Sequence, residues 1–127
     1  MKNFGSKDQK GLKGEDVAVS HLLKLGFEVT ERNFWAAGRE IDIIAFKDGV
    51  LHFVEVKSSF GDISVDGQFL LREKMNKKKM DGINRAARFY LERKGMEDKY
   101  WVVDLISVFF SREGELLKVS MDENVVL

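Results

Sequence analysis

Residues 40–57, EIDIIAFKDGVLHFVEVK, decide the fold of this chain. Polar and apolar residues alternate at the start of the stretch, which predicts a strand over residues 40–47 and a second strand over residues 50–57. Asp48-Gly49 lies between the two strands and is the strongest short-range signal for a two-residue hairpin turn. The stretch is therefore predicted to form an antiparallel β-hairpin.

The turn also predicts which side chains of the hairpin face each other. With Asp48-Gly49 as the turn, Asp42 faces Glu55 and Glu40 faces Lys57. Directly opposed Cβ atoms lie about 5 Å apart, and residues two apart on a strand share a face. These four charged side chains are therefore expected to form one compact cluster.

Two facing carboxylates repel each other, so the Asp42 and Glu55 pair needs a compensating positive charge. A hard divalent cation supplies it best, because carboxylate oxygens suit Mg²⁺ or Mn²⁺, and the backbone carbonyl of Val56 is placed to add a ligand. Lys57 would project on the same face toward a bound water and a phosphate, where its charge stabilises developing negative charge. The cluster therefore predicts a metal site.

An exposed ladder of charged residues is the alternative interpretation. In that case Glu40 and Lys57 would simply pair on a solvated strand face. Leu51 and Phe53 argue against it, because they share a strand face with Glu55 and indicate that this face is covered at one end. A charged end on a mostly buried sheet is typical of a functional site.

The rest of the chain predicts helices and strands around this hairpin. In order, they are a helix that ends at Gly26, a strand over residues 27–34, the hairpin, a loop over 60–68, a helix over 71–93, and strands over 100–110 and 115–120. Ser6 and Gln9 have the form of a capping box at the start of the first helix. Gly14 within that helix costs about 1 kcal/mol relative to alanine and indicates either fraying or a close approach by another segment. The order α-β-β-β-α-β-β predicts one α/β domain over residues 1–127.

Composition excludes several classes of function. The absence of cysteine excludes disulfides, thiolate catalysis, iron–sulfur clusters and cysteine-ligated zinc. His21 and His52 are far apart in the sequence, cannot by themselves form a metal cage, and are assigned to the core or its rim. No apolar run approaches the ~18 residues of a membrane span, so we expect a cytoplasmic protein that does not enter a membrane.

The charge distribution favours a nucleic-acid partner. The formal net charge is zero, with 21 basic and 21 acidic residues, but residues 72–94 alone carry nine basic and three acidic residues. Such a polarised chain can bind phosphates through one face. Within this stretch the candidate phosphate contacts are Lys74, Lys77, Lys78 and Lys79, and a merely solvated lysine face is the alternative.

The spacing of the hairpin residues resembles a known signature. Asp42, then twelve residues, then Glu55-Val56-Lys57 resembles the D-(D/E)-x-K signature of the restriction-endonuclease-like nuclease superfamily, whose core is α-β-β-β-α-β. The chain more closely resembles the YraN family of small bacterial proteins predicted to be endonucleases. The matching residues include Gly11, Gly14, Glu15, Ala18, Gly26, Phe27, Asn33, residues 40–42 and 53–57, Lys79, Ala86, Ala87, Tyr90, Leu91 and Asp104.

This resemblance implies a restriction-endonuclease-like fold with a mixed central sheet, flanking helices and an extra C-terminal strand. It implies an endonuclease that uses Mg²⁺ or Mn²⁺ to hydrolyse phosphodiester bonds in DNA, with Asp42 and Glu55 as ligands, Lys57 as the stabilising charge, and Glu40 and Glu15 in support. Archaeal Holliday-junction resolvases share the acidic pattern, so branched or junction DNA is among the implied substrates. Junction cleavage needs two sites related by a two-fold axis and would imply a homodimer.

Two departures from the family pattern bear on substrate contacts. Arg39 stands where the family usually has glycine, and Ser58-Ser59 stand where an arginine commonly follows. Arg39 is therefore a candidate nucleic-acid contact, and the second hypothesis is a nucleic-acid-binding module that keeps the nuclease fold without effective catalysis. A third hypothesis is a protein-interaction role for the methionine-rich residues 75–80.

Overall fold

The computed structural model describes residues 9–61 and 63–126 and is an α/β protein, as predicted. Ser6, the residue predicted to cap the first helix, lies outside this range. The elements, in chain order, are α1 (Gln9–Lys24), β1 (Glu28–Ala36), β2 (Arg39–Lys47), β3 (Val50–Phe60), α2 (Val65–Arg72), α3 (Lys77–Lys94), β4 (Tyr100–Phe110) and β5 (Leu116–Asp122).

The five strands form one mixed sheet in the order β1-β2-β3-β4-β5. The β3–β4 pair is parallel, and the other three neighbouring pairs are antiparallel. Because parallel neighbours need a long crossover, α2 and α3 fill the connection between β3 and β4. This arrangement confirms the predicted core and the extra C-terminal strand.

Helices cover both faces of the sheet and build two cores. On one face, α1 contributes Ala18 and Leu22, which are fully buried. On the opposite face, α3 contributes Ile83, Ala87 and Tyr90. Residues 103–110 of β4 are buried throughout, as expected of a strand enclosed on both faces.

The segment between β3 and β4 differs from the prediction. The single helix predicted over residues 71–93 is wrong, because the chain forms two helices with a break at residues 73–76, and α2 also covers part of the predicted loop over 60–68. Ser64 caps α2 by accepting from the amide of Gly67, and Asn76 restarts the helix by accepting from the amide of Lys79. The break lets Met75 turn into the core.

The methionine-rich residues 75–80 are mainly structural. Met75 and Met80 are 4% and 5% exposed, so both side chains belong to the core between α3 and the sheet rather than to a surface for a partner. In the part of the chain that the structure describes, no helix is long and apolar enough to cross a membrane.

The hairpin has the predicted turn and register. Asp48 and Gly49 have φ values of 50° and 80°, as a two-residue hairpin turn with both central residues left-handed requires. The paired residues run from Lys47–Val50 at the turn to Ile43–Val54, in the register that makes Asp42 the next residue opposite Glu55. The hairpin therefore delivers the charged residues to the end of β2 and β3 that lies away from the turn.

Candidate active site

An irregularity in β2 positions Asp42. Ile43 packs in the core on the α1 side, whereas Ile41 packs in the core on the α3 side, although residues two apart in a regular strand share a face. In β1, Ile43 pairs with Arg32 and Ile41 pairs with Phe34. Asn33 lies between these two partners and has a left-handed φ of 55°. At this irregularity the Asp42 Oδ2 atom accepts a hydrogen bond from the backbone amide of Val56 at 2.8 Å.

Three carboxylates gather at this point. One carboxylate oxygen from each of Glu15, Glu40 and Asp42 lies within 4.8 Å of the other two. Glu15 and Asp42 are almost fully buried, with 1% and 6% exposure, and the Arg32 guanidinium approaches Glu15 Oε1 at 3.9 Å. We refer to Glu15, Glu40 and Asp42 as the acidic cluster. It concentrates negative charge in a place where water screens it poorly.

A glycine brings α1 close enough for Glu15 to join the cluster. A Cβ atom on Gly14 would lie 1.9 Å from the Ser58 Oγ atom and 3.3 Å from its Cβ atom, so only glycine allows α1 to approach β3 this closely without displacement. This is the close approach that Gly14 indicated in the sequence. The neighbouring residue, Glu15, is thereby held against the end of the hairpin.

Glu55 lies between the acidic cluster and a set of cations. Its Oε2 atom is 3.1 Å from Lys57 Nζ and 3.0 Å from the Arg39 Nη2 atom, which donates to it. Burial, followed by the negative charge of Asp42, raises the pKa of Glu55, while Lys57 and Arg39 oppose the rise. The carboxyl of Glu55 therefore takes up a proton more readily than an exposed glutamate does.

Lys79 of α3 completes the cationic side of the site. Burial, followed by the positive charge of Lys57, lowers the pKa of Lys79. Arg39 packs along the same helix, because a Cβ atom on Gly82 would lie 3.5 Å from the Arg39 Cδ atom. We refer to Arg39, Lys57 and Lys79 as the cation group. Its three positive charges meet at Glu55, and an anion that approaches this side of the site is attracted by all three.

A cleft of about 300 Å³ opens beside these groups, between α1 and the end of β3. Its lining residues are Lys10, Gly11, Glu15, Val56, Lys57, Ser58 and Phe60. The backbone amide and carbonyl of a strand residue point toward the same edge of the strand. Because the amide of Val56 points toward Asp42 of β2, the carbonyl of Val56 also points toward β2. Buried carboxylates with a backbone carbonyl are an all-oxygen donor set, which fits Mg²⁺ or Mn²⁺.

The structure gathers most of the residues predicted from the hairpin, but in a different grouping. Glu40 lies with Asp42 and Glu15 instead of forming one square with Lys57, and Glu55 makes its ion pairs with cations. The predicted basic residues divide in two. Lys79 lies in the site, whereas the side chains of Lys74, Lys77 and Lys78 are exposed to solvent.

Sequence reasoning missed Arg32 and Lys10. Arg32 pairs with Ile43, one residue from Asp42, so its position depends on the β1–β2 register. That register is set by the turn at Ala37 and Gly38, which carries a weaker signal than an Asp-Gly pair, although both residues have positive φ values. Lys10 lies one helical turn before Gly14 and lines the same cleft, but no motif singles it out.

Comparison with known proteins identifies similar sequences. A family model described as "Uncharacterised protein family UPF0102" matches residues 14–108. A UPF0102 protein of Campylobacter jejuni is 40% identical over 98 residues, which cover 77% of this chain and 81% of that protein. A UPF0102 protein of Campylobacter lari is 38% identical over 99 residues, with coverage of 78% and 82%. A UPF0102 protein of Helicobacter pylori is 58% identical over 59 residues, with coverage of 46% and 52%.

Proposed function

We propose that the chain, which belongs to the uncharacterised protein family UPF0102, is a divalent-metal-dependent endonuclease that hydrolyses phosphodiester bonds in DNA. The observation that carries this proposal is the position of Glu55 between two oppositely charged groups at one end of the hairpin, namely the acidic cluster and the cation group. The first suits a hard cation, and the second suits a phosphate.

The acidic side would hold the cofactor. Asp42 and Glu55, with the backbone carbonyl of Val56, are the proposed Mg²⁺ or Mn²⁺ ligands, and Glu15 and Glu40 add negative charge beside them. Bound there, such an ion lowers the pKa of a water molecule and offsets charge on the phosphate. Burial of the carboxylates strengthens their attraction for a divalent cation, because solvent screening is weak.

The cation group would receive the phosphodiester. Lys57 is 18% exposed and Arg39 is 24% exposed, so both reach solvent while they remain anchored on Glu55. A phosphate that enters here meets three positive charges, which stabilise the negative charge that builds up on its oxygens during hydrolysis.

The basic segment that contains α3 would guide the DNA backbone to this site. Lys79 lies in the site itself, and Lys74, Lys77 and Lys78 extend the positive charge along the exposed surface nearby. Duplex, single-stranded and branched DNA all present such phosphates. A branched junction would further require two copies of the site, hence a homodimer.

One observation favours a second candidate function, a nucleic-acid-binding module without effective catalysis. Arg39, where the family usually has glycine, is 3.0 Å from Glu55 and competes with a metal ion for that carboxylate. Calorimetry distinguishes the two functions. DNA binding that is indifferent to Mg²⁺, in a protein that gives no heat with Mg²⁺ alone, would support the binding module.

The proposed nuclease activity is tested by measuring cleavage of labelled duplex, single-stranded and four-way-junction DNA in the presence of Mg²⁺, Mn²⁺ or a chelator. We expect metal-dependent cleavage that falls by about 100-fold or more in both variants, since Asp42→Asn removes a charged ligand of the metal ion and Lys57→Ala removes a positive charge beside the phosphate. Asp98→Asn and Lys99→Ala are matched controls, because both residues are exposed in the loop before β4. Equal cleavage by the wild type and the two site variants would refute the proposal.

A further inference from the structure

A second cluster of ligand-type side chains lies at the other end of the sheet. His52 stands near the start of β3, Asp104 lies in the neighbouring β4, and Glu123 directly follows β5. One nitrogen or oxygen atom from each of these residues lies within 4.8 Å of the other two. They line or adjoin a cleft of about 430 Å³ that is separate from the acidic cluster.

The histidine of this cluster is locked in place. Its side chain is 9% exposed, its Nδ1 atom is 2.5 Å from Asp104 Oδ2, and its ring meets the Phe27 ring edge-on at 4.8 Å. Asp104 is fully buried and is itself fixed, because its Oδ1 atom accepts from the backbone amide of Asn124 at 2.9 Å. A metal-binding histidine in proteins is typically oriented in this way, with its second ring nitrogen bonded to a carboxylate.

Nε2 is the ring nitrogen of His52 that is left for a ligand, because Nδ1 is bonded to Asp104. Within residues 9–61 and 63–126, no hydrogen bond uses its Nε2 atom, and His52 contributes to the wall of the cleft. Glu123 and Asp48, both exposed, line the same cleft and add negative charge. Lys47 also lines it, and its Nζ atom donates to the Leu25 carbonyl at 2.7 Å, but its one positive charge is outnumbered by these two carboxylates and that of Asp104. The cleft therefore favours a cation.

We propose that His52 and Glu123 bind a transition-metal ion of the zinc class, with Asp104 as the positioning residue for His52. An imidazole nitrogen suits Zn²⁺ and similar ions far better than Mg²⁺, whereas the acidic cluster offers oxygen atoms alone. The two ends of β3 would thus hold ions of different chemistry. Because Glu123 follows β5 and His52 belongs to β3, the ion would tie the C-terminal segment to the sheet.

Calorimetric titration of the full chain with Zn²⁺ tests this site. We expect Glu123→Gln to weaken Zn²⁺ binding at least tenfold and His52→Gln to weaken it further, whereas Glu113→Gln, which changes another exposed glutamate, leaves it unchanged. Asp42→Asn should also retain this binding, because Asp42 lies at the other end of the sheet. Zn²⁺ should raise the melting temperature of the wild type more than that of Glu123→Gln.

Two results would overturn the proposal. One is equal Zn²⁺ affinity in the wild type, Glu123→Gln and Glu113→Gln, which means that the ion binds elsewhere or only weakly to the surface. The other is loss of Zn²⁺ binding in Asp42→Asn alone, which assigns the ion to the acidic cluster. Glu123 is exposed, so its variant is expected to fold, and the test holds even where His52→Gln does not fold.

Discussion

Replacement of Gly14 by alanine tests the close approach of α1 and β3. An alanine Cβ atom would lie 1.9 Å from the Ser58 Oγ atom, about 1.5 Å short of ordinary contact. Overpacking of this kind costs about 1–3 kcal/mol. The helix propensity of alanine returns about 1 kcal/mol, so we expect a net loss of ~0–2 kcal/mol in the free energy of unfolding. Rotation of the Ser58 hydroxyl accounts for the lower end of this range.

Gly82→Ala is the matched control, since Gly82 is also helical and its added Cβ atom would meet Arg39 at an ordinary 3.5 Å. We expect this variant to gain ~0.5–1 kcal/mol from helix propensity. Urea unfolding of both variants measures the difference. The pair separates a steric effect at α1 from the general benefit of alanine in a helix.

A double-variant cycle with Ser58→Ala isolates the contact itself. Removal of the Oγ atom should relieve the clash, so Gly14→Ala should cost less in the Ser58→Ala background, with a coupling energy of ~1 kcal/mol. A Gly14→Ala variant that is as stable as Gly82→Ala, or a coupling energy of zero, would refute the packing argument. Either result would also mean that the close approach at Gly14 does not determine the position of Glu15.

Three further outcomes are expected. Because the pKa of Glu55 is raised in the folded state, the wild type should lose stability as the pH rises from about 4.5 through that pKa, and the loss should be smaller in Glu55→Gln, as pH-dependent urea unfolding would report. Replacement of Lys77 and Lys78 by glutamine should reduce the slope of log DNA affinity against log salt concentration by about one to two units, whatever the DNA sequence. An unchanged slope would mean that these lysines only keep the surface soluble. Asp104→Asn should lower the free energy of unfolding by ~3 kcal/mol, since it disturbs the contact between the fully buried Asp104 carboxylate and His52. A free energy of unfolding within ~0.5 kcal/mol of that of the wild type, measured by thermal denaturation, would contradict this.

The hairpin could be predicted from the sequence because its signals are local. The Asp48-Gly49 turn and the alternation of side chains act within about ten residues, and together they set the register that is observed from Lys47–Val50 to Ile43–Val54. The resemblance to known nucleases rests on the same short stretch. The family resemblance draws in addition on residues from Gly11 to Asp104, and the α/β fold follows from the order of helices and strands. Both the family and the fold are confirmed.

The detailed grouping of the site could not be predicted because it depends on distant contacts. The irregularity at Asp42 involves Asn33 of the adjacent strand, and Glu55 pairs with Arg39 at the start of β2 as well as with Lys57. The helix break at residues 73–76 is a different case. Asn76 is a good N-cap and therefore a local signal, but the helical pattern of apolar residues beyond it favours one long helix.

The central claim is that the carboxylates around Asp42 hold the divalent ion of a nuclease. Anomalous diffraction from crystals soaked in Mn²⁺ tests it most directly, because an ion seen on its ligands cannot come from a contaminating nuclease. We predict a manganese peak within coordination distance of Asp42 and beside Glu55, and its loss in crystals of Asp42→Asn. Soaked crystals with no peak at these carboxylates, or with an undiminished peak in the variant, would contradict the claim.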